Sequence, residues 1–385
     1  MKNVCVVLDG YFSFKNGHVF SPNMGYDFWK RYLAVFDSIT ILTRYPKHSF
    51  ISGKKVNGNR LVFCFVPFFN SFLGLLKASA NTGKAFFQLR RTHSFILRAP
   101  GLLPLIFGIL CCLTRKKYSL EVVAEPADVF SKDSFEHPLR PMIKFFFVNG
   151  LRFLCRNAFA VSYVTESFLQ KRYPPGVFSF CTYYSSIDLS PSFFTAKKRA
   201  PLTKKYPVLI NCAMMQKKIK GQDIFLKTIF LLKQQGILAK GILIGSGDHL
   251  NFFKDLAKAM QIQKLVRFIG LLPSGYRISN LLDSADFYIS PSRQEGLPRA
   301  VIEAMARGLP CLASNVGGTN ELLPARFLLE NNPMSYAKRI IQLWPRKKDC
   351  SLIGARNKRF AKRYLISRLS KRRSSFYRFI FLKDA

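Results

Sequence analysis

Two carboxylates in the second half of the sequence stand where ordinary folding gives no ready account of them. Glu303 lies inside Ala300-Val301-Ile302-Glu303-Ala304-Met305-Ala306, an otherwise small and apolar run. Burying an ionised carboxylate without partners is costly. Glu303 is therefore either a side chain on the solvated face of a helix or an acceptor for the hydroxyls of a bound sugar or ribose. Glu295 stands eight positions earlier, in Glu295-Gly296-Leu297-Pro298. It reads either as a helix-start acid favoured by the macrodipole or as the first half of a carboxylate pair, E-x7-E.

The surrounding elements decide where these residues point. Phe287–Ser290 reads as a short apolar strand, followed by the polar turn Pro291-Ser292-Arg293-Gln294-Glu295-Gly296. Pro298 fits a first helical residue and Gly308 a helix end. Pro310–Ala313 reads as the next strand and Gly317-Gly318 as a break. This is a βαβ unit with parallel strands and a right-handed crossover. Ligands of open α/β sheets bind beyond the carboxyl ends of such strands, which sets Glu295, Gly296 and the helix amino terminus in a cleft. Strand patterns recur at Pro207, Gly241, Val266, Phe287 and Pro310, a doubly wound sheet. The first half alternates in the same way, from a buried strand Asn3–Leu8 through a helix over Phe28–Phe36 and a strand Ser38–Thr43 to strands near Leu120 and Ala160–Val164. Asp9–Tyr26 is expected to be one long polar and aromatic turn. Within it Gly17 is either an ordinary loop glycine or a point where backbone passes close to a ligand. The turn lacks G-x-G-x-x-G, so the dinucleotide fingerprint is absent. The expected fold class is α/β with two Rossmann-like domains: 1–200, 201–345, and a basic helical segment 346–385.

The block Glu295-Gly296-Leu297-Pro298, Glu303 and Gly317-Gly318-Thr319-Asn320-Glu321, with its spacing and flanking strands, resembles the donor site of the family 4 retaining glycosyltransferases. The resemblance implies the GT-B fold, in which two Rossmann-like domains face across a cleft and the second binds a nucleotide sugar. It implies that Glu303 accepts hydrogen bonds from ribose hydroxyls, that Glu295 binds the transferred sugar, and that the stretch Gly296, Leu297 and Pro298 faces the donor. Pro298 replaces a second glycine found in many relatives, so one amide donor is lost. Lys220-Gly221 matches the family's Lys-Gly, whose cation holds the donor diphosphate, and Glu295 and Lys220 are the implied catalytic pair. The family's arginine position is occupied by Met214, so Lys218 or Lys217 is the substitute cation. Gly245-Ser246-Gly247 resembles the glycine turn at the donor cleft. Glu125, at the end of Leu120–Pro126, is the acceptor-side candidate. The implied chemistry is retaining transfer, with no metal or other cofactor: no D-x-D occurs in the chain, and basic residues take the place of a cation.

Composition adds the partners. The 385 residues carry a formal net charge of +39, which calls for an anionic partner. Nearly half the residues are hydrophobic, so the chain is not disordered. The nine cysteines show no C-x-x-C pairs, so no zinc site is expected. Cysteines inside strands, such as Cys5 and Cys311, fit a reducing compartment. Asp9-Gly10 ends the first apolar run too early for a secretory signal. Ala99–Leu113 is too short and too rich in proline and glycine for a clean span, and reads as a buried helix or a membrane-dipping segment. Phe68–Arg98 and the basic, aromatic Arg346–Lys383 are candidate membrane-surface faces, with a packed helix or a nucleic-acid tail as the rival readings. No nucleic-acid module accompanies the tail, and no nucleic-acid partner is expected. The function expected is sugar transfer to a glycan or lipid-linked acceptor at the cytoplasmic membrane face. The alternatives are a basic binding protein with a decayed site or a nucleotide-sugar epimerase of the same fold.

Overall fold

This computed structural model describes residues 2–10, 12–21, 24–45, 53–67, 72–91, 93–132, 135–194, 205–272 and 276–383, without the side chains of 72–76 and 276. The chain divides into two units. The first comprises Met1–Ala127, Pro141–Tyr184 and Ser370–Ala385; the second comprises Asp128–Arg140 and Ser185–Leu369. The boundary expected near 200, with its Lys197-Lys198-Arg199 linker, lies in 195–204, outside the described residues.

The first unit is built on a parallel sheet of seven strands in the order Phe180–Tyr183, Ala160–Tyr163, Ser119–Val122, His93–Ala99, Asn3–Leu8, Ser38–Arg44 and Leu61–Val66. Val4, Cys5, Val6 and Val7 are all fully buried, as expected of a strand covered on both faces by crossover helices. Asp9–Tyr26 departs from the expected turn. Ser13–Lys15 and His18–Ser21 form an antiparallel hairpin, and Asn16-Gly17 makes its two-residue tip with φ of 50° and 72°. Asn-Gly is the preferred pair for such a tip because both residues need positive φ.

Ala99–Leu113 yields the helix Leu102–Leu113, whose Leu103, Leu105, Phe107 and Cys111 are buried in the first unit's core. Among the described residues no helix is long and apolar enough to cross a membrane. Each candidate membrane face is used in part for packing, while Phe87 of the first stays about half exposed. Phe86, in the helix Phe72–Leu89, is buried beside Phe95 and Phe107, while Phe68 and Phe69 lie outside the described residues. The basic segment 346–385 divides. Lys347–Ala361 is a helix of the second unit, whereas the helix Ile366–Lys383 belongs to the first unit from Ser370 onward. Its aromatic face is covered: Tyr377 stacks on Tyr32 with ring centroids 4.6 Å apart, and Phe379 on Phe180 at 4.5 Å. The tail is pinned by a buried carboxylate. Glu121 accepts from the hydroxyls of Tyr32 (2.8 Å), Tyr184 (2.7 Å) and Tyr377 (2.9 Å), and pairs with Arg98.

The second unit has six parallel strands in the order Val266–Gly270, Lys240–Ile244, Val208–Cys212, Phe287–Ser290, Cys311–Ser314 and Leu328–Leu329. From Val208–Cys212 the strand order runs outward one way, and from Phe287–Ser290 it runs outward the other. The carboxyl ends of these two central strands are therefore the place where turns splay apart and leave a crevice.

Candidate active site

The turns that leave the two central strands carry the two charged residues singled out by sequence. Lys220 ends the short 3-10 turn Lys218–Lys220, and Glu295 follows Phe287–Ser290. Lys220 Nζ donates to Glu295 Oε1 at 2.7 Å and to the Gln294 carbonyl at 3.4 Å. The pair is partly solvated: the Lys220 side chain is about one-third exposed, and that of Glu295 about one-eighth.

Backbone constraints fix this pair. Gly221 has φ of 71°, and a side chain there would overlap the Pro291 carbonyl. Only glycine lets the turn after Val208–Cys212 lie against the turn after Phe287–Ser290. Gly317, at φ 51°, plays the same part against Glu295, and the Gly318 amide donates to the Gly296 carbonyl at 2.7 Å. Leu297 is buried. Pro298, expected as the first helical residue, occupies instead the N-cap of the helix Arg299–Ala306. The glycine turn Gly245-Ser246-Gly247 has φ of 140° and 152° at its glycines. Side chains there would overlap the 213–216 turn, and the Met215 amide donates to Ser246 at 2.9 Å. Close packing of one turn on another accounts for these two glycines.

Glu303 projects from a helix whose Val301, Ile302, Ala304, Met305 and Ala306 are buried. It is itself half-buried. Among the described residues its carboxylate has no hydrogen-bonded or ion-paired partner. Burial raises its carboxyl above the usual range, and Arg299 one turn back offsets this only in part. Burial and the nearby Glu303 charge push the Cys212 thiol up to about 12. Three further buried atoms at this edge have no hydrogen-bond partner among the described residues: Asn211 Oδ1, Gln222 Oε1 and His249 Nδ1. Unmet polar groups in a crevice are costly unless a ligand or water meets them.

Three expected site residues stand elsewhere. Lys218 does not join the charged pair; its ammonium lies 4.1 Å from the centre of the Phe252 ring. Gly17 is at an exposed hairpin tip where a side chain would meet open space, so turn geometry accounts for it. Glu125, expected to face a sugar, is fully buried in the first unit. It accepts from the Tyr173 hydroxyl and from the Ala127 amide at 2.9 Å, with Arg172 at 3.4 Å. Tyr173 and Arg172 lie far along the chain, so no local pattern foretold that burial.

Sequence reading missed Arg293. Its guanidinium forms a fork on Asp223, at 2.9 and 2.8 Å, and donates to the Lys218 carbonyl at 2.6 Å. Its own amide donates to the Ile219 carbonyl at 2.7 Å. Arg293 thus ties the lysine-bearing turn to the glutamate-bearing one. The only available signal was an arginine two residues before Glu295, and its partner lies 70 positions away.

Residues 192–360 match the family model for glycosyl transferases group 1. The chain is 26% identical over 318 residues to Protein CapJ of Staphylococcus aureus, covering 81% of this chain and 78% of CapJ. It is 31% identical over 143 residues to the amylovoran biosynthesis glycosyltransferase AmsK of Erwinia amylovora, 36% of this chain and 34% of that protein. It is 33% identical over 87 residues to the UDP-Gal:alpha-D-GlcNAc-diphosphoundecaprenol alpha-1,3-galactosyltransferase of Escherichia coli, 22% of each chain. The solved structure of HepE from Anabaena in complex with UDP superposes with a TM-score of 0.65 at 15% identity, over 97% of this chain and 99% of that one. The segment that holds Lys220, Glu295 and Glu303 thus matches the group 1 glycosyl transferase model, on a chain with a two-sheet fold of the GT-B type.

Proposed function

We propose that the protein is a retaining glycosyltransferase. It moves a sugar from a nucleotide sugar to a glycan or lipid-linked acceptor at the cytoplasmic face of a membrane, in polysaccharide or glycolipid biosynthesis. The observation that carries this reading is the Lys220–Glu295 pair, 2.7 Å apart at the crevice of the second sheet, with the half-buried Glu303, without a hydrogen-bonded partner among the described residues, on the helix that follows Glu295. The AmsK and galactosyltransferase names favour polysaccharide work and a diphosphate-linked lipid acceptor. The UDP bound to HepE makes uridine nucleotide sugars the first donors to try.

In this reading Glu303 accepts from the ribose hydroxyls, whose donation offsets the cost of keeping its charge half-buried. Glu295 accepts from hydroxyls of the transferred sugar. Lys220 lies where a diphosphate meets the helix amides that begin after Pro298. The bond from the anomeric carbon to the diphosphate oxygen breaks, and its electron pair leaves with the nucleoside diphosphate. The acceptor oxygen attacks the same face of the sugar, and its proton passes to the departing phosphate. The step needs positive charge aimed at the leaving group, and Lys220 supplies it without a metal ion.

The test is transfer of radiolabel from UDP-sugars to a bacterial lipid extract, with the product anomer assigned by NMR. The expected results are an α-linked product from an α-linked donor, a rate unchanged by EDTA, and a loss of about 10²–10³ in rate for Lys220→Ala, the usual cost of one leaving-group donor. Turnover of Lys220→Ala at the parent rate overturns the assignment.

A further inference from the structure

We propose that the outer face of the helix Arg140–Asn157, with the loop at Val177-Phe178, is the surface by which the first unit docks on an anionic lipid bilayer. The proposal deepens the membrane-face reading above and locates it on a part of the chain that neither candidate face of the sequence included.

The helix has two unlike sides. Leu151, Leu154 and Cys155 point into the core. Met142, Phe145, Phe146 and Phe153 recur at spacings of three, four and seven and are exposed, Phe145 to 71%. At 100° per residue these four fall on one stripe opposite the buried three. A water-facing stripe this rich in large apolar side chains marks an interaction surface. The chain extends it. The Gly176 amide donates to the Cys155 carbonyl at 3.1 Å, and Ser179 Oγ donates to the Ala158 carbonyl at 2.6 Å. These bonds pin the intervening Val177-Phe178 beside the last turn of the helix, with the two side chains 94% and 99% exposed. Two adjacent apolar residues held almost wholly in water by a fixed turn are a wedge with nothing of their own to fill.

Charge identifies the occupant. Arg152 and Arg156 are exposed on the same helix, and Arg156 falls within the apolar stripe. No Asp or Glu occurs between Pro138 and Thr165. The chain as a whole carries +39. Aromatics that dip between acyl chains, with cations at the headgroup level, describe an interfacial helix on an anionic leaflet. An apolar protein partner would not need the arginines, and a nucleic acid would not need Met142, Phe145 or Val177.

The experiment is co-flotation of the full chain with vesicles of phosphatidylcholine alone or mixed with phosphatidylglycerol. The expected result is binding to the mixed vesicles only. It should fall about tenfold or more in Phe145→Ser/Phe146→Ser and in Val177→Ser/Phe178→Ser, since each replaces two large apolar groups. Both variants alter exposed residues and keep the parent melting temperature. Phe178→Trp should shift its emission to the blue when mixed vesicles are added. Equal flotation of parent and variants overturns the proposal. So does light scattering that finds a parent dimer which Phe145→Ser/Phe146→Ser makes monomeric without changing flotation, because the face is then a protein interface. The thermal response to nucleotide sugars is measured on the same samples. Loss of flotation with that response intact supports docking, and absence of the response in a protein that still floats counts against the transferase reading alone.

Discussion

Glu303 is the residue whose physical state most clearly separates a working site from a merely structural helix. Its carboxyl is raised above the usual range by burial, so the folded protein holds that proton more tightly than the unfolded chain does. A raised carboxyl adds stability that is fully present below the unfolded value of about 4.3 and is lost as pH climbs through the folded one. Above its folded value the Glu303 carboxylate is therefore a cost to the free protein. Glu303→Gln removes that cost. We expect its melting temperature to exceed the parent's at pH 7, with the gap closing as the pH is lowered toward 4, while donor binding weakens. A variant less stable than the parent at pH 7 would mean that the carboxylate is satisfied within the fold. Sequence alone left Glu303 between a solvated helix face and a ligand acceptor; its half-burial and lack of a partner favour the second. Glu125 went the other way. Nothing beside it in sequence announces Tyr173 and Arg172, which absorb its carboxylate.

Among the elements, those of the second unit were readable because each carries its own punctuation. Gly308 ends the helix Arg299–Ala306 at φ 73°, and Gly221 and Gly317 stand where backbones meet. The hairpin at Asn16-Gly17 was equally well signalled by its turn residues. It was missed although Phe12-Ser13-Phe14-Lys15 alternates apolar and polar residues up to the turn, because its strands are only three and four residues long. The tail helix shows what periodicity cannot give. Arg372, Phe376, Tyr377 and Phe379 look like a membrane-seeking face in sequence, yet the aromatics lie on the first sheet and Tyr377 reaches Glu121. Burial alone would raise the Glu121 carboxyl, but the Arg98 charge and three tyrosine hydroxyls outweigh it and hold the carboxyl below its usual value. A lowered carboxyl contributes stability present above the unfolded value and lost as pH falls through the folded one. The tail should therefore loosen first in acid, below about pH 4. Tyr377→Phe removes one hydrogen bond to a charged group and should cost about 1.5–3 kcal/mol. Chemical denaturation of parent and variant measures this, and an unchanged midpoint would show that Tyr32, Tyr184 and Arg98 hold Glu121 without help from the tail.

For the whole molecule, two features of sequence survive in different forms. The α/β class and the two doubly wound sheets were legible from alternating strands and helices, since parallel sheets buried on both faces write themselves as continuous apolar runs. The charge of +39 was legible as a demand for anions, but not where that demand is expressed. The tail helix packs its aromatics on the first unit, whereas the segment Phe68–Arg98 divides, with Phe86 buried and Phe87 exposed. The helix Arg140–Asn157 turns its own outward, and exposure is a property of packing that spacing does not reveal. The central claim is that the second unit holds a nucleotide-sugar site centred on Lys220, Glu295 and Glu303. A thermal-shift series with UDP-, GDP- and ADP-sugars on the parent, Lys220→Ala and Glu303→Gln tests it directly. A ligand at 100 times its dissociation constant stabilises the folded state by about 2.7 kcal/mol. The account predicts a rise in melting temperature with one nucleotide class in the parent, reduced or absent in both variants. No rise with any of them, or the same rise in all three proteins, would contradict it.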